Sequence, residues 1–244
     1  WRDKGLHRLQ HRTGAVTCEK VADSVFRIAV DSRIAPPIHA WAMECRYEYT
    51  IFGSGDVVIQ VEGTPSGKWC ETLPRIGLQM AVPINLDRVE WYGRGPGESY
   101  IDTKQAGRFD VHRATVPDLF TPYVKPQECG NRTDVRWVSF TDMRGMGLLA
   151  SADEEWINFS AMRYTMRDLE IARHPSDLTE LPFTYVYLDY RHNGIGSGSC
   201  GPVTLPKYQL KPEPFRFKIR LRPFSGDAIS AASLSKVVPE NPDS

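Results

Sequence analysis

Four carboxylates stand in distinctive surroundings along this 244-residue sequence: Glu98, Asp102, Glu128 and Asp189. Two carboxylates with side chains roughly 5 Å apart are the groups that a retaining glycosidase uses, one as nucleophile and the other as acid and base. The sequence alone does not show that any two of them converge. A structural role is the better interpretation of each, in ion pairs with arginines such as Arg75, Arg94 or Arg132.

Glycine-rich segments raise a second possibility, which is phosphate binding. Gly196-Ser-Gly-Ser-Cys-Gly201 matches the G-x-G-x-x-G pattern of dinucleotide-binding loops and follows a predicted strand. Such a loop has to lead into a helix whose N-terminus faces the pyrophosphate, but Pro202 and two β-branched residues come next. The cluster from Trp91 to Tyr100 has Pro96, which lacks an N–H, inside the would-be phosphate cradle. Its aromatic residues fit a packing role better than a sugar-binding face.

Metal and thiol chemistry have little support. The six histidines are dispersed, and only His7 and His11 lie close together, without a carboxylate at metal-ligand spacing. The five cysteines are scattered, with no C-x-x-C pair, which indicates free thiols in a reducing compartment. We therefore predict no metal site in this chain.

Charge and hydropathy exclude two further classes. The 30 Lys and Arg residues balance the 30 Asp and Glu residues, so a mainly electrostatic grip on nucleic acid or on an acidic membrane is not expected. No apolar run approaches the roughly 20 residues that span a bilayer, and the first residues lack the apolar region of a signal peptide. The default expectation is a cytoplasmic protein. Because the sequence opens on Trp1 without a Met, we expect further sequence upstream.

Strands must position these residues, because most of the chain alternates apolar and polar residues in short runs bounded by Gly, Pro and Asp. The predicted strands cover residues 25–30, 40–50, 57–61, 75–82, 89–92, 135–140, 147–151, 157–161, 183–190 and 215–222. Phe52-Gly-Ser-Gly-Asp56 predicts a tight hairpin between the second and the third, since glycine supplies positive φ angles. So many short strands favour a β-sandwich.

One helix and one tail complete the predicted organisation. Thr165-Met-Arg-Asp168 has the form of a capping box and predicts a short helix that ends before Pro175. Residues 225–244 are small and polar, with prolines at Pro239 and Pro242, and are expected to form a frayed tail or linker. No linker divides the rest, so we predict a single all-β domain over residues 1–224, slightly truncated at its N-terminus.

Several long motifs, in order, carry a resemblance to a known family. They are Leu73-Pro-Arg-Ile-Gly-Leu78, Val89 to Asp102, Thr121 to Arg132, Phe159 to Tyr164 and Leu188 to Gly196. This chain closely resembles the C-terminal domain of β-galactosidases of glycoside hydrolase family 2, which some bacteria encode as a separate small chain. The resemblance covers most of residues 1–224.

The resemblance implies a large antiparallel β-sandwich of the galactose mutarotase-like supersandwich type. It implies two kinds of partner: the catalytic (β/α)8 barrel, in the same chain or as a large subunit, and the β-galactoside substrate. An oligomer of the intact enzyme is also expected. The catalytic glutamates belong to the barrel and nothing here matches them, so we expect no catalytic residue and no lactose hydrolysis by this chain alone. The Mg and Na ions of intact family enzymes are bound outside this domain, which implies no cofactor in it.

The resemblance also implies a position near the substrate for one loop. In many members a tryptophan after the Gly-x-Gly motif forms one wall of the aglycone subsite, and the corresponding residue here is Cys200. The residues expected to line this subsite are Cys200, Ser199, Gly198, His192 and Asn193. Cysteine is small and only a weak donor, so we expect a roomier and weaker acceptor site than in the tryptophan members.

A second function class stays open at this point. The chain could instead be a free-standing carbohydrate-binding or assembly module that has the fold without the enzyme. The coding sequence upstream of Trp1 discriminates the two, since only the first requires a catalytic barrel there or in a partner gene.

Overall fold

The computed structural model describes residues 1–196, 201 and 203–239. The strands of this part of the chain are β1 (Gln10–Ala22), β2 (Val25–Ala35), β3 (Trp41–Phe52), β4 (Val57–Gly67), β5 (Arg75–Pro83), β6 (Arg88–Gly95), β7 (Arg108–Thr115), β8 (Arg132–Val135), β9 (Trp137–Thr141), β10 (Met146–Ala152), β11 (Ile157–Met162), β12 (Phe183–His192) and β13 (Phe215–Ser225). The α-helices are short: α1 (Val116–Leu119), α2 (Met166–Ile171) and α3 (Ala231–Leu234). The chain is thus an all-β protein, as predicted.

The strands form two antiparallel sheets. One has nine strands in the order β1-β2-β3-β4-β13-β10-β9-β6-β7, and the other has four in the order β5-β12-β11-β8. Strand alternation gives each sheet one apolar face, and the two apolar faces meet in the main core. Trp91 of the larger sheet, for example, is fully buried with its ring centroid 5.6 Å from that of Phe159 of the smaller sheet. The predicted sandwich of large antiparallel sheets is confirmed.

The two sheets differ in width, so the smaller one covers only part of the larger. A row of directly opposed residues crosses five neighbouring strands of the larger sheet: Val16, Val30, Tyr47, Val61 and Phe217. Val61 and Phe217 are each 3% exposed, whereas Val16 at the sheet edge is 58% exposed. The apolar face therefore continues from the core across β3 and β2 to β1, where the smaller sheet no longer covers it.

All the predicted strands are present. The hairpin between β3 and β4 is confirmed too: Phe52 N–H donates to the carbonyl of Asp56 at 2.9 Å, and Gly55 has a φ of +88°. The strands β1, β7 and β8 were not predicted from the sequence. All but the last two residues of β1 are exposed, so β1 lacks the half-buried pattern from which strands are recognised.

The predicted helix is α2, capped as expected by Thr165 and Asp168, each of which bonds the other's backbone N–H. The four-residue helices α1 and α3 were not predicted, because so short a segment gives no helical periodicity.

The segment after β13 differs from the expected frayed tail over its described part. Within α3, Ala231 and Leu234 are buried and pack against Trp137 and Leu149 of the larger sheet. The Arg220 guanidinium donates to the carbonyl of Leu234 at 2.9 Å and also bonds a carbonyl three residues further along. These contacts fix residues that look polar and unstructured in the sequence. The boundary at residue 224 itself stays a prediction.

Candidate functional site

His192 and Asn193, two of the predicted aglycone-lining residues, lie together where β12 ends. The Asn193 amide donates to the carbonyl of Gly194 at 2.8 Å and accepts from the Leu210 N–H at 2.9 Å. The Asn193 N–H donates to the carbonyl of Pro74 at 2.9 Å. Asn193 is 8% exposed, so its amide acts as a buried clamp between the two segments that flank the glycine-rich loop.

Asp102 holds the next residues of the same loop. Its carboxylate accepts from the N–H of Gly196 at 2.7 Å and from that of Ile195 at 3.3 Å. Across the loop, Thr204 Oγ1 donates to the carbonyl of Gly194 at 2.9 Å. Gly196 has a φ of +63° and lies against Thr204 so closely that a side chain would collide with it. Asp102 therefore fixes the start of the loop, and Thr204 bonds its far end back to that start.

An ionic cluster around the buried Asp189 supports the end of β12. Strand register sets Arg75 of β5 opposite His192 and sets Gly77 opposite Asp189. Arg75 Nη2 donates to Glu128 Oε2 at 2.6 Å, and Arg75 Nη1 lies 3.5 Å from Asp189 Oδ2. A Cβ at Gly77 would collide with the Asp189 carboxylate. One arginine thus binds two of the four carboxylates singled out in the sequence, and the predicted ion pairing of Arg75 is confirmed.

The hydrogen bonds of His192 define its tautomer. Nδ1 lies 2.7 Å from the carbonyl of Asn193, which can only accept, so Nδ1 carries the proton. Nε2 lies 3.1 Å from Arg75 Nη2 and 3.7 Å from Glu128 Oε1. In the neutral ring Nε2 accepts from Arg75, and only the charged ring pairs with Glu128. The Tyr100 ring packs edge-on against His192, with centroids 5.2 Å apart.

The two carboxylates of the cluster have opposite pKa shifts. Complete burial raises the pKa of Asp189 to about 6, although Arg75 and His192 act to lower it. Burial also acts to raise the pKa of Glu128, but His192 and Arg75 outweigh it, so this pKa is lowered. Asp189 Oδ2 accepts no hydrogen bond, whereas Glu128 accepts from Arg75 and from the Tyr100 hydroxyl. Asp189 is 1% exposed and both carboxylates face Arg75, so a structural role fits them better than that of a nucleophile and an acid that must reach substrate.

The remaining carboxylate, Glu98, joins two of the resembling motifs to each other. It accepts from the N–H of Gly130 at 2.7 Å and from the Tyr123 hydroxyl. Next to it the Asn131 amide donates to the carbonyl of Ser99 at 2.8 Å. The segments 89–102 and 121–132 are thus bound to one another through the half-buried Glu98 and the buried Asn131.

The other two arginines of the sequence analysis have different partners. Arg94 pairs with Asp134 at 2.6 Å, a residue that the sequence did not single out. Arg132 is buried and bonds three backbone carbonyls instead of a carboxylate. Burial lowers its pKa to about 10. The ion-pair expectation is therefore wrong for Arg132, because carbonyl oxygens that face inward at a motif junction give no signal in the sequence.

Gly198, Ser199 and Cys200 lie outside the described residues, so their expected place beside the aglycone stays a prediction. Within the described ranges, no three His, Cys, Asp or Glu side chains are grouped so that they could hold a metal ion. The same ranges contain no helix with the length and apolar character that crossing a membrane requires.

Comparison with known proteins identifies the family. The family described as "Beta galactosidase small chain" matches residues 1–221. A β-galactosidase of Arthrobacter sp. (strain B7) is 33% identical over 229 residues, 91% of this chain and 22% of the relative. The β-galactosidase of Priestia megaterium is 32% identical over 86% of this chain and 19% of the relative. The β-galactosidase of Kluyveromyces lactis is 29% identical over 91% of this chain and 21% of the relative. The chain thus spans about a fifth of the length of these relatives.

Among solved structures, a galactose mutarotase related enzyme from Lactobacillus acidophilus aligns with 87% of this chain and 72% of its own, at 6% identity and a TM-score of 0.29. That similarity is too low to support any inference. The family match and the β-galactosidase relatives each extend over most of the sequence, and they agree with each other. The chain therefore belongs to the β-galactosidase small-chain family.

Proposed function

We propose that this chain is the non-catalytic domain of a β-galactosidase that hydrolyses terminal β-D-galactosides such as lactose. The named relatives are β-galactosidases about five times as long as the stretch that they share with this chain. The remaining length of such an enzyme would contain the catalytic barrel with its two glutamates and the metal ions. The intact enzyme would be an oligomer in the cytoplasm.

The uncovered apolar face of the larger sheet carries the proposal of a domain partner. Phe26 of β2 is 45% exposed and Ile51 of β3 is 36% exposed, and strand register sets them side by side. Val16 on β1 extends the same face to the sheet edge. Patches of this kind mark interaction sites. The occupant that we propose is the rest of the β-galactosidase, because about four-fifths of each named relative lies outside the shared stretch.

We also propose that His192, Asn193 and the loop residues Gly198, Ser199 and Cys200 line the aglycone side of the active site. The rigid base of this loop supports the proposal. Asp102 and Asn193 hold its start through hydrogen bonds that are partly or fully buried, and prepositioned polar groups are what a binding site needs to avoid an ordering cost. The role of the chain is thus to shape the acceptor site and to help hold the assembly together.

Two experiments test the assignment. The first is to sequence the coding DNA upstream of Trp1; a barrel with two catalytic glutamates, in frame or in a partner gene, is the expected result. The second is to express the chain and that catalytic part separately, mix them and follow hydrolysis of o-nitrophenyl β-D-galactoside. Activity should appear only in the mixture. A stop codon without a partner gene, or no gain of activity and no co-elution on mixing, would favour a free-standing module instead.

Substitution of Cys200 by Trp in the reconstituted enzyme tests the acceptor role. The indole would add the stacking face that cysteine lacks, so the variant should be inhibited more strongly by glucose and should form a different ratio of hydrolysis to transglycosylation products. Cys200→Ser is the matched control, because it keeps the size. Unchanged glucose inhibition together with an unchanged product ratio in Cys200→Trp would overturn the assignment of this residue.

A further inference from the structure

A cleft lies on the surface where β8 meets β11. Its volume is about 470 Å³, within the range of roughly 300–1,000 Å³ that is usual for ligand pockets. The lining side chains include Trp156, Asn158, Asp134, Lys104, Arg191 and Glu155. His192, where β12 ends, forms one end of the cleft together with Arg191, and the rest is built from β8, β11 and the segments beside them.

Trp156 is both exposed and fixed. It is 50% exposed, and the Arg136 guanidinium carbon lies 3.8 Å from the centroid of its ring and 3.9 Å from that of Phe109. Neither Arg136 nor Phe109 lines the cleft, so the indole contacts them on one side and borders the cleft on another. An arginine that packs on two rings restrains the indole, and the exposed aromatic surface is thereby prepositioned for a ligand.

The floor of the cleft is an irregular point in the smaller sheet. One residue of β11, Asn158, opposes two residues of β8, Thr133 and Asp134. Asp134 adopts a φ of +56°, which is uncommon outside glycine. Bulges of this type re-aim side chains and are frequent beside binding sites. The Asn158 amide has no hydrogen-bond partner among the residues that the structure describes, so both of its polar groups are free for a ligand.

The charges around the cleft favour a neutral ligand. Lys104 Nζ lies 2.9 Å from Asp134, which also pairs with Arg94. At the other end Arg191 pairs with Glu155. Each of the two cations already has a carboxylate partner, and Glu154 adds a third carboxylate to the lining, so the cleft carries no excess positive charge that would attract a phosphate or sulfate.

We propose that this cleft is a binding site for neutral carbohydrate. Trp156 would stack on the apolar C–H face of a sugar ring, and the Asn158 amide would donate to one hydroxyl and accept from another. Lys104 and Glu155 would bind further hydroxyls at the two ends. The site requires only this chain and not a catalytic barrel, so it goes beyond the proposed function and does not depend on it.

Saturation-transfer NMR on the full chain with lactose as the probe tests this site, with galactose, glucose and sulfate as comparison ligands. Transfer to the ring protons of lactose is expected, and lactose should not be displaced by sulfate. Trp156→Ala should weaken binding at least about tenfold, Asn158→Ala should weaken it less, and Trp156→Phe should retain part of it. Trp1→Ala is the matched control, because Trp1 is 52% exposed and does not line the cleft; it should bind as the wild type does.

Three outcomes would overturn the proposal: no transfer to any sugar, equal binding by Trp156→Ala and the wild type, or displacement of lactose by sulfate. Circular dichroism of each variant separates lost binding from lost folding, and Asn158→Ala keeps the test valid if Trp156→Ala does not fold. Failure here is distinct from failure of the proposed function, which is measured by activity on mixing with the catalytic part. If Trp156→Ala abolished that activity while lactose bound unchanged, the indole would be a domain contact and not a sugar platform.

Discussion

The two halves of the nine-stranded sheet share one apolar face but lie in different surroundings. Under β4, β13, β10, β9 and β6 this face is buried against the smaller sheet, and residues such as Ile219 and Val138 are fully enclosed. Under β1 and β2 the same face carries Val16 and Phe26, which are about half exposed. The same face therefore runs through both halves of the sheet, but the smaller sheet covers only one of them.

Charged residues follow the same division. In the covered half, Asp56 is 3% exposed and is bonded by both Arg220 and Arg222. On the outer side of β2 and β3, Asp31 and Arg46 pair with side chains that are 51% and 50% exposed. Exposed pairs contribute little to stability, typically about 0–1 kcal/mol. The covered half should therefore determine folding, while the open half should determine association.

The largest expected difference comes from two phenylalanines, Phe159 of the smaller sheet, which covers one half, and Phe26 on the open half. Phe159 is fully buried between the sheets, so Phe159→Ala should lower the free energy of unfolding by about 3–5 kcal/mol. Phe26→Ala, the matched change on the open half, should cost no more than about 1 kcal/mol. Urea unfolding of both variants measures the difference. Equal losses would show that the open half is packed in solution, for example by self-association, and a tenfold dilution would reveal that case.

The sequence predicts the covered half of the molecule far better than the site. Strands with one buried face, such as β4 and β6, were recognised from alternation, whereas the exposed strand β1 was missed. The tail after β13 was misjudged because Ala231 and Leu234 are too few to form an apolar pattern, although both are buried. Their packing depends on partners distant in sequence.

The site shows the same limit more sharply. His192 and Asn193 were identified only through family resemblance, and nothing in their local pattern indicates a hydrogen-bonded clamp. Arg75 was named as an ion-pair candidate, but its simultaneous contact with Glu128 and Asp189 depends on the register of β5 against β12. Registers and bulges are set by the whole sheet, so this convergence could not be derived from the chain alone.

The next prediction concerns the pH dependence of stability that is due to Asp189, a carboxylate buried in the smaller sheet. An unfolded aspartate has a pKa of about 3.9, and burial raises that of Asp189 to about 6. The folded protein then binds its proton more tightly, so the stability due to Asp189 is complete below pH ~4 and is lost as the pH rises through ~6. The advantage of wild type over Asp189→Asn should fall over this window, by up to about 3 kcal/mol.

Glu128→Gln is the matched control, because its effect on stability should change with pH in the opposite direction. The pKa of Glu128 is lowered, so its contribution is present above the unfolded pKa of about 4.3 and is lost as the pH falls. The advantage of wild type over this variant should therefore grow as the pH rises from acid. Thermal unfolding of the three proteins between pH 3 and pH 8 measures both trends. Parallel curves for wild type and Asp189→Asn would mean that Arg75 fully compensates the buried charge.

The smallest predicted effect concerns association with the rest of the enzyme, and it tests the open half directly. Phe26→Asp places a charge on an exposed strand position, so the isolated chain should lose little stability. In the complex the same carboxylate would be buried without a partner, and binding to the catalytic part should weaken by about 2 kcal/mol, roughly thirtyfold. Glu48→Asp, on the opposite side of the sheet beside Arg27, controls for any general effect of a changed carboxylate and should bind normally. Titration calorimetry with the catalytic part measures both constants. If Phe26→Asp bound as tightly as the wild type, the partner would have to dock elsewhere, and the apolar face of β1 and β2 would need another occupant.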